Sequence, residues 1–450
     1  MNLLPAILHI VLASCWGVLA GWWTPRGPLT ITQALCSVAI SAAIGLAAGR
    51  LARSRWVLLA VPLAFMTALE LARAGVPGPS AEAPHASLFG AIALLAGRGV
   101  QAVLTLLPMV LGEAYGRGVA GRLKRILVAV PTAGLLLLTV LAAVPARTAP
   151  IKGGVADLVT VGGLGVMIRG ARDELPVLLY VPAAPGGSEL GAVRAHLGAL
   201  EQRFVMATLD RRGGGSSYPA LDPASRVTLD RMVADVVTVT DYLRRRFHQD
   251  RIYLLGSSGG SIISVLAVVL HPEKYRAYVG TGQAVDLPAS DRILYADILA
   301  WAHSTGRPDL VRRLEKQGPP PYPDVWGYEP LMLFENQAYA QRDPTFVIGV
   351  REYTLLQKVH TLNAILDTWD VLYPRMQDVD LRRDAPDLPI PAYFVQGGNE
   401  MRGLSALFEP WYQQLRAPRK QLFVVAGAGH RVIYEEPGRF VEVMDRVLAG

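Results

Sequence analysis

Cysteine is almost missing from this 450-residue chain: there are two, Cys15 and Cys36, both inside apolar segments, and residues 151 to 450 have none. No disulfide framework and no cysteine-based metal site can be built from that supply. Acidic residues are scarce in the first third, where residues 1 to 150 hold 3 Asp and Glu against 11 Lys and Arg. The remainder holds 34 against 33. The basic surplus therefore belongs to the first third, and the rest lacks the basic face that nucleic-acid binding requires. Internal repeats and long low-complexity tracts are missing too. So are clusters of ligating side chains at metal-site spacing, and no metal or organic cofactor is called for.

Apolar length is what the chain has in excess. Apolar residues make up 51% of it, and the mean hydropathy is positive, which is unusual for a purely soluble protein. A spanning helix needs about 20 mostly apolar residues. Five segments within residues 1–146 are candidates: 3–23, 28–49, 56–72, 87–112 and 126–144. The first ends in the interfacial pair Trp22 and Trp23, the third is the weakest because Glu70 interrupts it, and the fourth carries Arg98 near its middle. The first segment is too long, and its flank too poor in positive charge, for a simple cleaved signal peptide. With five spans and the N-terminus inside, Arg50, Arg53, Arg55, Arg117, Arg122, Lys124 and Arg125 face the cytoplasm, and only Arg26 and Arg73 face the other side. That bias obeys the positive-inside rule and places the rest of the chain outside the cytoplasm. A charge at mid-bilayer is costly, so Arg98 is read as snorkelling or pairing with a neighbour such as Glu70 rather than as a buried functional site. Nothing resembles the paired broken helices of a transporter.

From Val155 the pattern changes to alternation of strand and helix. "ADLVTV" and "LGVMIRG" read as an antiparallel pair, then "PVLLYVP", "RFVMATLD", "RIYLL", "YRAYVGTG", "IPAYFVQG" and "KQLFVVAG" as strands. Between them, Thr228 to Arg246 places Met232, Val233, Val236, Val237, Val239, Thr240 and Leu243 at helical spacing. The expected fold is α/β: a mostly parallel sheet with helices on both faces, preceded by an all-α transmembrane bundle. Residues 155–287 and 376–450 form its core. The stretch 288–375, helical and rich in Trp, Tyr and Pro, reads as a helical cap inserted between strands.

Chemistry concentrates at "RIYLLGSSGGSIISVLAVVL". The register Gly256, Ser258, Gly260 fits G-x-S-x-G, a weak signal by itself in a chain with 44 glycines. Here it follows a strand and opens a helix, the context in which a nucleophilic serine is held on a tight turn between small neighbours. Such a serine needs a base, and the base an orienting acid, on loops after later strands. After "PAYFVQ" comes Glu400, and after "QLFVVAG" comes His430. Asp378, Asp380, Asp384 and Asp387 compete with Glu400 by type but precede the strand rather than follow it.

The set "PVLLYVPAAPGGSE", "FVMATLDRRGGGSS", "IYLLGSSGGS", "HPEKYRAYVGTGQ", "PAYFVQGGNE" and "AGAGHRVIYEEPGRF" resembles the proline-iminopeptidase-like branch of the α/β-hydrolase superfamily over about residues 155–450. The resemblance implies Ser258 as nucleophile, His430 as general base and Glu400 as acid. It also maps a structural loop onto Asp210, Arg212, Gly213, Gly215 and Ser217. Two departures stand out. Where the family usually has H-G-G-P-G, this chain reads Pro182, Ala183, Ala184, Pro185, Gly186. The oxyanion hole then falls to the N–H groups of Gly259 and Ala184. Glu400 stands where the family usually has Asp. The expectation is a membrane-anchored serine hydrolase of small esters, amides or short peptides, with Glu335 and Glu352 available to hold a substrate ammonium. The alternative is a catalytically weak receptor or partner-binding domain with a degenerate oxyanion loop.

Overall fold

The computed structural model describes residues 4–51, 56–183 and 188–450. Arg53, Arg55 and Ala184, named above, lie outside the described residues, as do Pro185 and Gly186. The chain divides into two compact units, Met1–Ala146 with Tyr353–Asp367, and Arg147–Glu352 with Thr368–Gly450.

The first unit is helical. Among the described residues three helices are long and apolar enough to cross a bilayer: Ile31–Leu51, Leu88–Arg117 and Arg122–Ala142. Two further apolar stretches, Ile7–Trp23 and Leu59–Ala72, are shorter. The segment expected at 87–112 runs on to Arg117 and contains a π-helical stretch at Leu94–Gly99. Arg98 lies in that stretch, and its Nη2 pairs with Glu70 Oε2 at 3.2 Å. This is the neighbour the sequence offered for it.

Two of these helices meet backbone to backbone. A Cβ on Gly45 would lie 1.9 Å from the Met109 carbonyl oxygen, and one on Gly49 2.2 Å from that of Glu113. From the other helix, a Cβ on Gly112 or Gly116 would lie 2.4 Å from the carbonyl oxygen of Ala42 or Leu46. Facing small-x-x-x-small pairs allow this approach, which is how helices associate where water supplies no driving force.

Tyr353–Asp367, expected within the 288–375 cap, groups instead with this helical unit. Asp367 anchors it: Arg26 Nη1 donates to Oδ2 at 2.8 Å and the Ser80 N–H to Oδ1 at 2.9 Å, and neither charged side chain is exposed. Removing one partner of such a buried pair costs about 3–5 kcal/mol, because the other charge is left uncompensated.

The second unit is built on one eight-stranded sheet: β1 (Val155–Val161), β2 (Leu164–Gly170), β3 (Val177–Val181), β4 (Val205–Leu209), β5 (Ile252–Ser257), β6 (Tyr275–Thr281), β7 (Ala392–Gly397) and β8 (Lys420–Val425). Their spatial order is β1-β2-β4-β3-β5-β6-β7-β8. β2 runs antiparallel to both neighbours, and every pair from β4 to β8 is parallel. All residues of β3, β4, β5 and β7 are buried, so both faces are covered, as parallel sheets require. The helix Leu229–Arg246 begins at Thr228, whose side chain accepts from the Arg231 N–H, and buries Met232, Val233, Val236, Val239 and Leu243. Between β6 and β7 the insertion contributes the helices Leu287–Ser304, Pro308–Gln317 and Val325–Ala338 to this unit.

Candidate active site

β5 ends at Ser257, and the helix Gly259–Leu270 begins two residues later. Ser258 between them has φ 49° and ψ −130°, a conformation that L side chains rarely adopt. It is held there by its neighbours. The Ser258 N–H donates to Thr281 O at 2.9 Å, and the Ser261 N–H donates back to Ser258 O at 2.9 Å. Gly256 and Gly260 are required by space: a Cβ on Gly260 would lie 2.1 Å from Pro182 O, and one on Gly256 2.8 Å from Ser261 Cα. Gly259 opens the helix, so its N–H has no intrahelical acceptor and is available at the turn.

His430 follows β8, and Glu400 follows β7. The structure brings both to Ser258. His430 Nε2 lies 3.1 Å from Ser258 Oγ, and His430 Nδ1 lies 2.9 Å from Glu400 Oε1. The side chains of His430 and Glu400 are 5% and 3% exposed, so their bond is shielded from competing water. Glu400 Oε1 also accepts from the Met401 N–H at 2.8 Å. Since a carboxylate only accepts, Nδ1 carries the hydrogen and Nε2 presents its lone pair to the serine hydroxyl. The competing aspartates are committed elsewhere: Asp380 to Arg382, Asp384 to Arg383 and Asp387 to Arg416, while the Asp378 carbonyl accepts from Arg383.

Several positioning groups were not legible in the sequence. Gly282, just past β6, has φ 51°, and a Cβ there would sit 2.7 Å from His430 Cε1. Gln341 Oε1 accepts from the His430 N–H at 2.7 Å while its Nε2 donates to Asn399 O at 2.6 Å, tying the two site loops together. The Glu435 carboxylate brackets the histidine, accepting from the Gly429 N–H at 3.0 Å and the Arg431 N–H at 3.1 Å. A glycine, a glutamine and a glutamate carry no signal of this kind until the loops are seen to meet.

The loop after β4 is a brace. Asp210 Oδ2 accepts from Ser216 N at 2.8 Å, and Ser217 Oγ accepts from the Gly165 N–H at 2.8 Å. Arg212 grips Asp235 through Nε at 2.7 Å and Nη2 at 2.8 Å. Gly213 and Gly215 take φ of 86° and 50°. Of the two cap carboxylates, Glu352 accepts from Arg194 Nε and from Thr148 Oγ1, each at 3.0 Å, and is thereby occupied. Glu335, on the helix Val325–Ala338, has its carboxyl raised by burial while Arg431 and His430 draw it down.

A model of the family "Serine aminopeptidase, S33" matches residues 195–437, more than half of the chain. The "Probable aminopeptidase YbaC" of Bacillus subtilis (strain 168) is 24% identical over 290 residues, covering 62% of this chain and 91% of that protein. Among solved structures, a proline iminopeptidase-related protein from Thermus thermophilus is 20% identical, with a TM-score of 0.45 over 66% of this chain and 97% of the other. A membrane phospholipase A described as a bacterial virulence factor is 17% identical, with a TM-score of 0.45 over 73% of this chain and 97% of the other. The chain belongs to the serine aminopeptidase S33 family and is an α/β-hydrolase.

Proposed function

We propose that the chain is a membrane-anchored serine hydrolase in which Ser258 is the nucleophile, His430 the general base and Glu400 the orienting acid. One observation carries the reading: Ser258 Oγ, the imidazole and the carboxylate form a continuous hydrogen-bonded series at 3.1 and 2.9 Å, starting from a serine held at positive φ. In this mechanism Ser258 gives its proton to His430 Nε2 as Oγ bonds to the substrate carbonyl carbon. The negative charge that develops on the carbonyl oxygen is met by the N–H groups of Gly259 and Ala184. Nε2–H then protonates the leaving alcohol or amine, and an acyl-serine remains. Water, deprotonated by Nε2, attacks its carbonyl carbon, and Nε2–H returns that proton to Ser258 Oγ as the acyl–oxygen bond breaks and the acid leaves. Glu400 accepts from Nδ1–H throughout and stabilises the transient imidazolium.

The finer reading is an aminopeptidase acting on short peptides. Two things support it: the name of the Bacillus relative and Glu335, a cap-helix carboxylate whose own titration is drawn down by Arg431 and His430. In this reading the substrate's ammonium sits between Glu335 and Ser258. The helices of the first unit hold the enzyme in a lipid bilayer, with five spans and the hydrolase unit on the non-cytoplasmic side.

The test uses the full chain in detergent. A fluorophosphonate probe labels the wild type and not Ser258→Ala. On L-prolyl and L-leucyl p-nitroanilides, Glu335→Gln raises KM by about tenfold or more, the value of a charged hydrogen bond, and affects p-nitrophenyl acetate hydrolysis far less. Absence of wild-type labelling contradicts the hydrolase. An equal effect of Glu335→Gln on both substrate types contradicts only the aminopeptidase.

A further inference from the structure

The chain passes from the first unit to the second after Ala146, returns after Glu352 and leaves again after Asp367. Two of these junctions meet on the second unit. The Arg147 N–H donates to Arg351 O at 2.9 Å, and Thr148 Oγ1 donates to Glu352 Oε1 at 3.0 Å. The helix Arg122–Ala142 ends five residues before Arg147. An extended chain covers at most about 3.6 Å per residue, so Arg147 lies no more than about 18 Å from that helix end. With Arg122–Ala142 crossing a bilayer, the edge of the second unit that holds Arg147 and Arg351 is kept close to the lipid surface.

The segment leading into this edge presents apolar side chains to the outside. Phe346 is 51% exposed and Ile348 38%. They are held out by a fixed backbone. The Val347 carbonyl between them lies against the helix Leu190–His196, where a Cβ on Gly191 would come within 1.8 Å of its oxygen. The Val347 N–H donates to Thr345 O at 2.9 Å, and the Thr345 N–H to Asp343 Oδ1 at 3.1 Å. At the two ends, Gln341 accepts from the His430 N–H, and Glu352 accepts from Arg194 Nε on that same helix. Arg342, Arg351 and Arg147 are all exposed. The acid of the segment, Asp343, faces Arg431 Nε at 4.0 Å.

An apolar pair accompanied by guanidinium groups matches the boundary of a bilayer, where apolar groups enter the acyl region and cations meet lipid phosphates. A second copy of the chain would need a broad apolar face, and two side chains do not make one. We propose that Phe346 and Ile348 dip into the bilayer that the N-terminal helices cross, so that the second unit touches lipid as well as being tethered to it. The inference rests on the membrane-anchored reading. It adds no reacting group and fixes which edge of the second unit faces lipid.

The test uses the full chain with Cys15→Ser and Cys36→Ser, reconstituted in vesicles of phosphatidylethanolamine and phosphatidylglycerol. A nitrobenzoxadiazole label is attached through Phe346→Cys, through Ile348→Cys or, as the reference, through Val424→Cys, which lies on β8 at a side chain 62% exposed. Seated about 5–10 Å into the headgroup–acyl boundary, the label at position 346 should lose about half its emission to lipids spin-labelled near the glycerol end of the chain. It should also resist aqueous iodide. The label at position 424 should show the opposite pattern. Position 348 decides if the Phe346→Cys chain lacks a cooperative thermal transition. A label at 346 quenched by iodide as strongly as at 424 overturns the proposal. So does a label shielded from iodide but untouched by the spin-labelled lipid, because protein would then cover the tip. Flotation with the vesicles after an alkaline carbonate wash reports the anchoring separately. Loss of flotation removes both readings, whereas flotation with no lipid quenching overturns the lipid contact alone.

Discussion

At the residue scale, the site depends on places where no side chain fits. Gly282 is the clearest case, because a methyl group there would meet His430 Cε1 at 2.7 Å and the backbone sits at φ 51°. Gly282→Ala pushes the imidazole off the serine. Displacements of about 1 Å at such a base cost about 100-fold. The expected result is a fall of that order in kcat/KM for p-nitrophenyl acetate, with a cooperative thermal transition retained. Unchanged kinetics would mean that the imidazole does not need its present place. Ser258, Glu400 and His430 were legible because each follows a strand whose apolar run is readable, and the loop after a late strand has few titratable members. Gly282 was not legible, since its role is an absence of atoms beside a ring 148 positions away in the chain.

At the element scale, the helix Leu287–Ser304 carries Asp291 into an aromatic cluster. Tyr373 donates to Asp291 Oδ1 at 2.7 Å, while Tyr328 and Trp369 pack around Tyr373 with ring centroids at 5.1 and 4.4 Å. Burial raises the Asp291 pKa to about 7, and the Tyr373 and Tyr328 hydroxyls oppose it. The folded state therefore favours the protonated carboxyl. The stability this adds is fully present below the ordinary aspartate value of about 4 and is lost as pH rises to about 7. Asp291→Asn cannot titrate. Relative to wild type its Tm should climb across that window and level off above it; parallel Tm–pH curves would contradict the assignment. The strands were legible from their apolar runs, whereas the partners of the inserted helices were not. The pattern of Leu355–Leu372 shows that it is helical but not that Tyr353–Asp367 joins the N-terminal unit through Arg26 and Ser80. An amphipathic face announces burial without naming what covers it.

At the scale of the whole molecule, an apolar helical unit and an α/β-hydrolase share one chain. The glycine contacts of Ile31–Leu51 with Gly112 and Gly116 favour close association of spans in lipid. In the proposed topology the arginine bias across the expected loops sets their orientation. A reporter fused after Gly450 tests the orientation: alkaline phosphatase should be active there and green fluorescent protein dark. The reverse pattern would contradict five spans with a cytoplasmic N-terminus. The central claim, that Ser258 becomes acylated during turnover, has a more direct test. The full chain is acid-quenched while it hydrolyses p-nitrophenyl acetate, and its peptides are weighed. The peptide containing Ser258 should carry the mass of one acetyl group, and the corresponding peptide from Ser258→Ala should not. Turnover with no acyl group on that peptide, or the same turnover in Ser258→Ala, would contradict it.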